Sequence, residues 1–163
     1  MCMKNINSTM LFCSDIENNE GNINSLIGVY DTTVPIRENN TYYLDNLNIV
    51  LNCCIIFDEK FVEKKDCFQL DEEYEFVIRL THIASGVGIP LYKFDLIVKQ
   101  ENLTTWCKDF YEFKRFLKFS RIEIPKGLGS YAVKLLVRKK NEEEIVWNNQ
   151  VIHSLVIGES RSI

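Results

Sequence analysis

Residues 122–138 read IEIPKGLGSYAVKLLVR, and this stretch predicts two β-strands joined by a turn. Apolar residues occupy every second position from Tyr131 to Val137, so one face of the second strand is apolar. The same alternation precedes Pro125, which cannot donate a backbone hydrogen bond and therefore ends the first strand. The PKGLG turn predicts an antiparallel hairpin, which needs further strands to cover its apolar face.

Other segments repeat this alternation and are separated by turns about every ten residues, a spacing typical of all-β sandwiches and barrels. We expect hairpins at 9–30 and 73–98 and a loop at 31–45. The remaining predicted strands lie at 47–57, about 116–124, 145–149 and 151–157. Alternation with one polar face favours antiparallel sheets, because buried parallel strands are apolar on both faces.

One segment has a helical period. Leu103, Trp106, Cys107 and Phe110 follow the i, i+3, i+4, i+7 spacing of one helix face, which predicts a short helix within 101–117. The predicted fold is therefore an all-β, antiparallel two-sheet β-sandwich, immunoglobulin-like or C2-like, with about eight or nine strands and one short crossing helix. Tyr131 at the start of a long strand resembles the tyrosine corner of immunoglobulin-like sandwiches.

The length and composition of the chain indicate one ordinary globular domain. The chain has 163 residues, of which 46% are hydrophobic and 26% charged. We expect a disordered N-terminus at 1–8, a single β-sandwich domain at 9–158 and a tail at 159–163. The net charge of −4 does not favour nucleic-acid binding, because such domains usually carry a basic excess.

The N-terminal residues contain no apolar signal-peptide core, and no apolar run is long enough to span a bilayer. Without a secretion signal, the six cysteines indicate reduced thiols in the cytoplasm. They form no Cys-x-x-Cys pair, so no structural zinc site is predicted. Cys53 and Cys54 are expected on opposite faces of a strand, and only Cys107, next to Lys108, has a basic neighbour that favours reactivity.

Catalytic chemistry is not apparent in the sequence. His82 and His153 lie in no hydrolase or metal-ligand motif, and the acidic clusters at 58–59, 71–73 and 142–144 are typical of solvated turns. We therefore predict a protein that is not an enzyme, with no catalytic residue, no metal ligand and no cofactor. A nucleophilic site assembled from distant residues stays open, as does a carbohydrate site in the loops at one end of the sandwich.

The segment 108–126 combines basic and aromatic residues, so it is the main candidate for binding. Basic residues that follow a backbone and aromatic residues that stack on bases would bind single-stranded nucleic acid. The alternative is an amphipathic strand whose aromatic residues fill the core while its cations stay in water. The candidate interaction surface adds two tryptophans to the basic residues and comprises Trp106, Lys108, Lys114, Arg115, Lys118, Arg121 and Trp147.

Two short blocks resemble a family of small uncharacterised bacterial β-sandwich proteins. The first contains FCSD at 12–15, SLIGVYD at 25–31 and then Pro35; the second is the Ile-Pro-x-Gly-x-Gly-x-Tyr pattern at 124–131. The chain departs from the family pattern at 106–119. The resemblance implies a β-sandwich and a bacterial origin, but no activity.

These observations favour a non-enzymatic β-sandwich that acts as a binding or scaffold module for protein partners, with a homodimer as an open alternative. Several strands that could form sheet edges support this interpretation. So do the many aromatic residues, a type enriched in interface cores, which include Tyr42, Tyr43, Trp106, Phe113 and Trp147. Single-stranded nucleic-acid binding through 108–126 is the second hypothesis. An enzyme or a carbohydrate-binding sandwich is the third.

Overall fold

The structure, a computed structural model, describes residues 3–18, 24–29, 32–58, 61, 64–103 and 109–158. These residues form two β-sheets, as the alternation predicts, but with five strands each rather than eight or nine in all. The strands are β1 (Ile6–Asn18), β2 (Asn24–Val29), β3 (Thr32–Thr33), β4 (Ile36–Glu38), β5 (Thr41–Ile56), β6 (Glu73–His82), β7 (Gly88–Ile97), β8 (Phe110–Glu123), β9 (Gly129–Lys139) and β10 (Asn148–Ile157).

Sheet 1 is built around β5. β8 pairs antiparallel with one edge of β5, from Tyr43 to Ile56. The other edge is shared by β1 and by β4, which continues into β5 through a turn at Asn39 and Asn40. Both asparagines have positive φ, as the tight hairpin turn requires. β2 pairs antiparallel with β1, which confirms the predicted first hairpin.

Sheet 2 has the strand order β3-β10-β9-β6-β7. Its pairs are antiparallel except β10 with β3, which is parallel. The pairing of β6 with β7 confirms the second predicted hairpin. In sheet 1, the order β1-β5-β8 matches strands A-B-E of immunoglobulin-like sandwiches. In sheet 2, the order β7-β6-β9-β10 matches strands C′-C-F-G.

The core lies between the two sheets and contains the inward-facing residues that the alternation predicts. On β9, Tyr131, Val133, Leu135 and Val137 have no exposed surface. Phe76 of β6 links the sheets, because its ring stacks on Phe94 of β7 at 4.9 Å and meets Phe113 of β8 edge-on at 5.9 Å. Burial of large apolar side chains on both sheets is the main source of stability.

The predicted hairpin at 122–138 is wrong. β8 pairs with β5 and β9 pairs with β6 and β10, so the PKGLG segment carries the chain from one sheet to the other. The predicted tyrosine corner is confirmed: the Tyr131 hydroxyl donates to the Gly127 carbonyl at 2.7 Å and accepts from the Lys126 N–H at 3.3 Å. Gly127 and Gly129 have positive φ, which lets the chain turn between the layers.

The predicted crossing helix is also wrong for the described part of 101–117. A single 3-10 turn covers Gln100–Asn102, residues 104–108 lie outside the described part, and β8 begins at Phe110. The last residue of the helical spacing, Phe110, is already the first residue of β8. From Tyr111 onward the alternating pattern determines the structure.

Several boundaries differ from the predictions. Residues 1–8 were expected to be disordered, but Met3 and Asn5 are buried and β1 starts at Ile6. The expected loop at 31–45 contains β3, β4 and the start of β5, and the expected strand at 145–149 is replaced by the start of β10 at Asn148. The tail at 159–163 lies outside the described residues.

Candidate functional site

β8 is an edge strand. Within the described part of the chain it pairs only with β5, so its second edge has no neighbouring strand there. The backbone N–H and C=O groups along such an edge can pair with another extended chain. β8 is 14 residues long, whereas β7, the edge strand of sheet 2 on the same side of the sandwich, is 10 residues long and contains Pro90 at an irregularity in its pairing.

Most aromatic residues of β8 face the core. Tyr111, Phe113 and Phe119 are partly buried against it, and Phe113 lies 5.6 Å from the ring of Phe94. Phe116 is the exception, since it points to the outer face of sheet 1 and is 41% exposed. The row of stackable aromatic residues predicted for 108–126 is therefore reduced to one exposed ring among the described residues.

Phe116 belongs to an apolar row across three strands. It lies directly opposite Val50 of β5, which in turn lies opposite Leu11 of β1. Val50 is buried, whereas Leu11 and Phe116 on either side of it are exposed to a similar extent. Directly opposite residues on one face of a sheet interact, so this row forms a continuous apolar strip that ends at the β8 edge.

Lys114 and Lys118 share the outer face of β8 with Phe116, one on each side of it, and both are exposed. Arg115 points to the other face, at the rim where β8 meets β7. Its guanidinium carbon lies 5.3 Å above the ring of Phe94 and 5.7 Å from that of Phe113. Such stacking holds a guanidinium group in place while its N–H groups remain available to a carboxylate.

No described carboxylate forms an ion pair with Lys114 or Arg115, whereas Arg121 is neutralised. Arg121 forms an ion pair with Glu38 and lies 4.2 Å from the centre of the Tyr43 ring. The hydrogen bond to Glu38 raises the pKa of Arg121 above its ordinary value. Arg121 therefore links β8 to β4 across β5.

A shallow groove of about 440 Å³ runs between the β7 and β8 edges beside Arg121. Apolar side chains from both strands line much of it, including Ile89, Leu91 and Phe119, and Glu123 lies at its rim. The groove is continuous with the open edge of β8. It can therefore receive inward-facing side chains of a strand added to that edge.

The structure does not assemble the whole predicted surface. Trp106 and Lys108 lie outside the described residues. Trp147 lies on the outer face of sheet 2, where the guanidinium carbon of Arg138 is 5.1 Å from the centre of the Trp147 ring. Lys114 and Lys118 lie on the outer face of sheet 1, so Trp147 is on the opposite side of the sandwich from them.

The cysteines and histidines have structural environments. Cys53 is buried and Cys54 is partly exposed, which confirms their predicted opposite orientations, and burial raises the pKa of the Cys53 thiol to about 12. Cys107 lies outside the described residues. The His153 ring meets Phe12 edge-on at 4.6 Å, and Nδ1 of His82 lies 2.8 Å from Oγ of Ser85 in a turn.

The Ser85–His82 contact stabilises the turn after β6. Ser85 Oγ also accepts a hydrogen bond from the Val87 N–H, and the other imidazole nitrogen lies beside Gly129. Among the described residues, no three His, Cys, Asp or Glu side chains form a group that could hold a metal ion.

The acidic clusters at 71–73 and 142–144 take part in a charge network on sheet 2. Lys140 contacts Glu73 at 3.2 Å and Asp95 at 2.9 Å, and Lys139 contacts Glu72 at 3.5 Å and Glu142 at 3.9 Å. The two ammonium groups therefore offset part of the negative charge of these four carboxylates.

Sequence reasoning missed the role of Asn5. Its amide donates to the carbonyls of Ile56 and Phe68, both at 2.9 Å, and its oxygen accepts from the Phe68 N–H at 2.8 Å. It thus holds the long connection between β5 and β6 against the start of β1. A small cavity of about 160 Å³ lies beside it, lined by Phe57, Phe68 and their neighbours. A lone polar residue near a terminus carries no signal for such a role.

No protein-family model and no curated protein matches this chain. The resemblance to a bacterial β-sandwich family therefore stays a prediction. In the described part of the chain, no helix has the length and apolarity that a membrane span requires.

Proposed function

We propose that this protein is a non-enzymatic binding module that holds an extended segment of a protein partner along the open edge of β8. The observation that carries the proposal is the 14-residue strand with a single described neighbour, β5. In strand addition, backbone hydrogen bonds supply affinity and alternate side chains supply specificity. β8 offers both, because Phe116 lies on one face and the β7–β8 groove on the other.

Charges on an edge strand also prevent unwanted self-association. Protection alone, however, does not explain a half-exposed phenylalanine at the middle of the edge or the apolar groove next to it. Phe116 continues the strip formed by Leu11 and Val50. An apolar strip that ends at an open edge is suited to a partner residue added beside it.

The charge of β8 favours a different protein over a second copy of this chain. Apart from Arg121, which is paired with Glu38, β8 carries three basic residues, Lys114, Arg115 and Lys118, against two acidic ones, Glu112 and Glu123. Pairing two such strands would bring like charges together, which destabilises neighbouring strands. We therefore favour a hetero-complex, and light scattering at high protein concentration should show a monomer. A stable dimer would support the homodimer alternative.

Strand addition is tested with a defined probe. Twelve-residue peptides selected from a random displayed library should protect the β8 amides from hydrogen exchange, and Phe116→Ser should weaken their binding. Ile152→Ser is the matched control, because Ile152 is 60% exposed on β10, in the other sheet. Selected peptides that protect other strands, or that bind Phe116→Ser unchanged, would contradict the proposal.

Nucleic-acid binding is a second candidate because Lys114 and Lys118 flank Phe116 on one face. Lysines beside an aromatic ring match the contacts that a stacked base and its phosphates require. A ten-nucleotide oligothymidylate should then bind with an affinity that falls steeply with salt, and Lys114→Glu should abolish the binding. Fluorescence anisotropy at two salt concentrations measures this, and salt-insensitive or absent binding ends this candidate.

We also propose a bacterial cytoplasmic location. Cys53 and Cys67 are free thiols, which suits a reducing compartment. Cell fractionation with an antibody to the protein tests this location. Recovery in the periplasm or the medium would contradict it.

A further inference from the structure

We propose that the partner segment carries a hydrophobic residue followed by two acidic residues and lies antiparallel to β8. In this register the hydrophobic residue lies opposite Phe116, and the two acidic residues lie opposite Arg115 and Lys114. The inference rests on the proposed function, since it names the chemistry of the segment that would be added to β8.

The two acidic positions follow from Lys114 and Arg115. Both side chains are exposed, and no described carboxylate pairs with either of them. They are adjacent in β8, so they point to opposite faces of the sheet. Two consecutive acidic residues in an added strand would also point to opposite faces, one towards each cation.

Arg115 is the better-positioned of the two cations. Its contacts with the rings of Phe94 and Phe113, at 5.3 and 5.7 Å, keep the guanidinium at the rim of the sandwich next to the open edge. A guanidinium group that is already held in place loses less conformational entropy when it binds a carboxylate in a bidentate manner. An acidic residue opposite Arg115 therefore gains more than one opposite a freely moving lysine.

The hydrophobic position follows from the Leu11–Val50–Phe116 row. Each member lies directly opposite the next one on the outer face of sheet 1. A strand added to β8 places one residue opposite Phe116 and extends the row to a fourth strand. Apolar and aromatic pairs across neighbouring strands are favourable, so this residue is hydrophobic.

The antiparallel direction follows from the geometry of pairing. An antiparallel pair is slightly more stable per residue than a parallel pair, and β8 is already antiparallel to β5. The direction sets the order of the motif, because β8 runs from Lys114 to Phe116 while the partner runs the other way. A parallel partner would carry two acidic residues followed by the hydrophobic one.

Three blocked ten-residue peptides with a common threonine-rich host test the motif. The first contains valine-glutamate-glutamate at its centre, the second valine-lysine-lysine, and the third the reversed order glutamate-glutamate-valine. We expect the first to bind at least about fivefold tighter than the second, since the two cross-strand ion pairs alone correspond to about fivefold and the lysine peptide also places like charges opposite each other. Lys114→Glu combined with Arg115→Glu should reverse that preference. Lys93→Glu, at an exposed lysine of β7, should leave it unchanged.

The outcomes separate this inference from the proposed function. Equal binding of the first two peptides, with β8 amides still protected from hydrogen exchange, overturns the acidic motif and leaves strand addition intact. Tighter binding of the third peptide overturns the antiparallel direction. If no peptide protects β8 and oligothymidylate binds in a manner that depends on Lys114 and Arg115, both the motif and the protein partner are overturned.

Discussion

β8 and β9 are neighbours in the chain and carry similar alternation, yet they have opposite positions in the fold. β9 lies between β6 and β10, and even its outer face is largely covered, with Ala132 only 5% exposed. β8 has one described neighbour, and Lys114 and Phe116 on its outer face are exposed. Alternation thus identifies the inward face of a strand, whereas the number of neighbouring strands is set by the topology.

The charges of the two strands differ in the same way. On β9, Arg138 contacts Glu75 at 3.1 Å, and Lys139 contacts Glu72 at 3.5 Å. On β8, no described carboxylate pairs with Lys114 or Arg115. Arg138 and Lys139 of β9 therefore contribute to the fold through ion pairs that Lys114 and Arg115 of β8 do not form with described residues.

The largest expected effect contrasts the apolar residues of the two strands. Leu135→Ala in β9 should lower the free energy of unfolding by about 2–5 kcal/mol, because it leaves a cavity at a fully buried site. Leu117→Ala in β8 should cost less, since this site is 9% exposed and lies nearer the rim. Urea denaturation of both variants measures the difference, and equal losses would contradict the contrast.

The tyrosine corner provides the next test. Tyr131→Phe should cost about 1–2 kcal/mol, because it removes the hydroxyl that bonds Lys126 and Gly127. Tyr111→Phe in β8 is the matched control, since the Tyr111 hydroxyl makes no hydrogen bond to a described residue. Thermal and urea unfolding should show a loss for Tyr131→Phe only. No loss would mean that the corner does not stabilise the crossover between the sheets.

A pH test compares two buried ionisable side chains, one on β5, which pairs with β8, and one on β6, which pairs with β9. Burial raises the pKa of Cys53 on β5 and of Tyr74 on β6 to about 12. Between the ordinary pKa of each group and 12, the folded chain holds a proton that the unfolded chain has released. The free energy of unfolding should therefore fall as pH rises above about 9, by up to about 1.4 kcal/mol per pH unit while Cys53 alone contributes and by up to about twice that above pH 10, where Tyr74 contributes as well.

Unfolding midpoints measured from pH 8 to 11 check this slope. Cys53→Ala should flatten it from about pH 9, and Tyr74→Phe from about pH 10, where a free phenol begins to ionise. Stability that stays constant over this range would contradict burial of both protonated groups.

The smallest expected effect on stability concerns the basic side chains of the two strands. Arg138→Gln should lower the free energy of unfolding by about 1 kcal/mol, because its ion pair with Glu75 is largely shielded from water. Lys114→Gln should change stability by less than about 0.5 kcal/mol, as is usual for surface sites. Peptide binding should respond in the opposite way, weakening for Lys114→Gln only. A stability loss at Lys114 would assign it a structural role.

Much of the fold can be predicted from this sequence because period-two alternation is a local signal. The inward faces of β5, β6 and β9 and the hairpin of β6 with β7 follow directly from it. The crossover at PKGLG does not follow, because a turn rich in glycine fits a hairpin and a change of sheet equally well. Long-range pairing with β6 and β10 decides between them.

The candidate site could be predicted only in part. The basic and aromatic composition of 108–126 indicated binding, and Lys114, Arg115 and Lys118 do lie on one strand. The sequence could not show that the aromatic residues Tyr111, Phe113 and Phe119 face the core. Nor could it show that Arg121 is neutralised by Glu38, which is 83 residues away in the chain.

The parallel pair of β3 with β10 affects how the chain folds during synthesis. Thr32 and Thr33 pair with Val156 and Ile157, so β3 has no sheet to join until the last strand has left the ribosome. Until then the growing chain exposes the edge of β9 that β10 will cover. Such contacts between distant parts of a chain slow folding, and an unpaired strand edge is prone to aggregation, so we expect this edge of β9 to be vulnerable during synthesis.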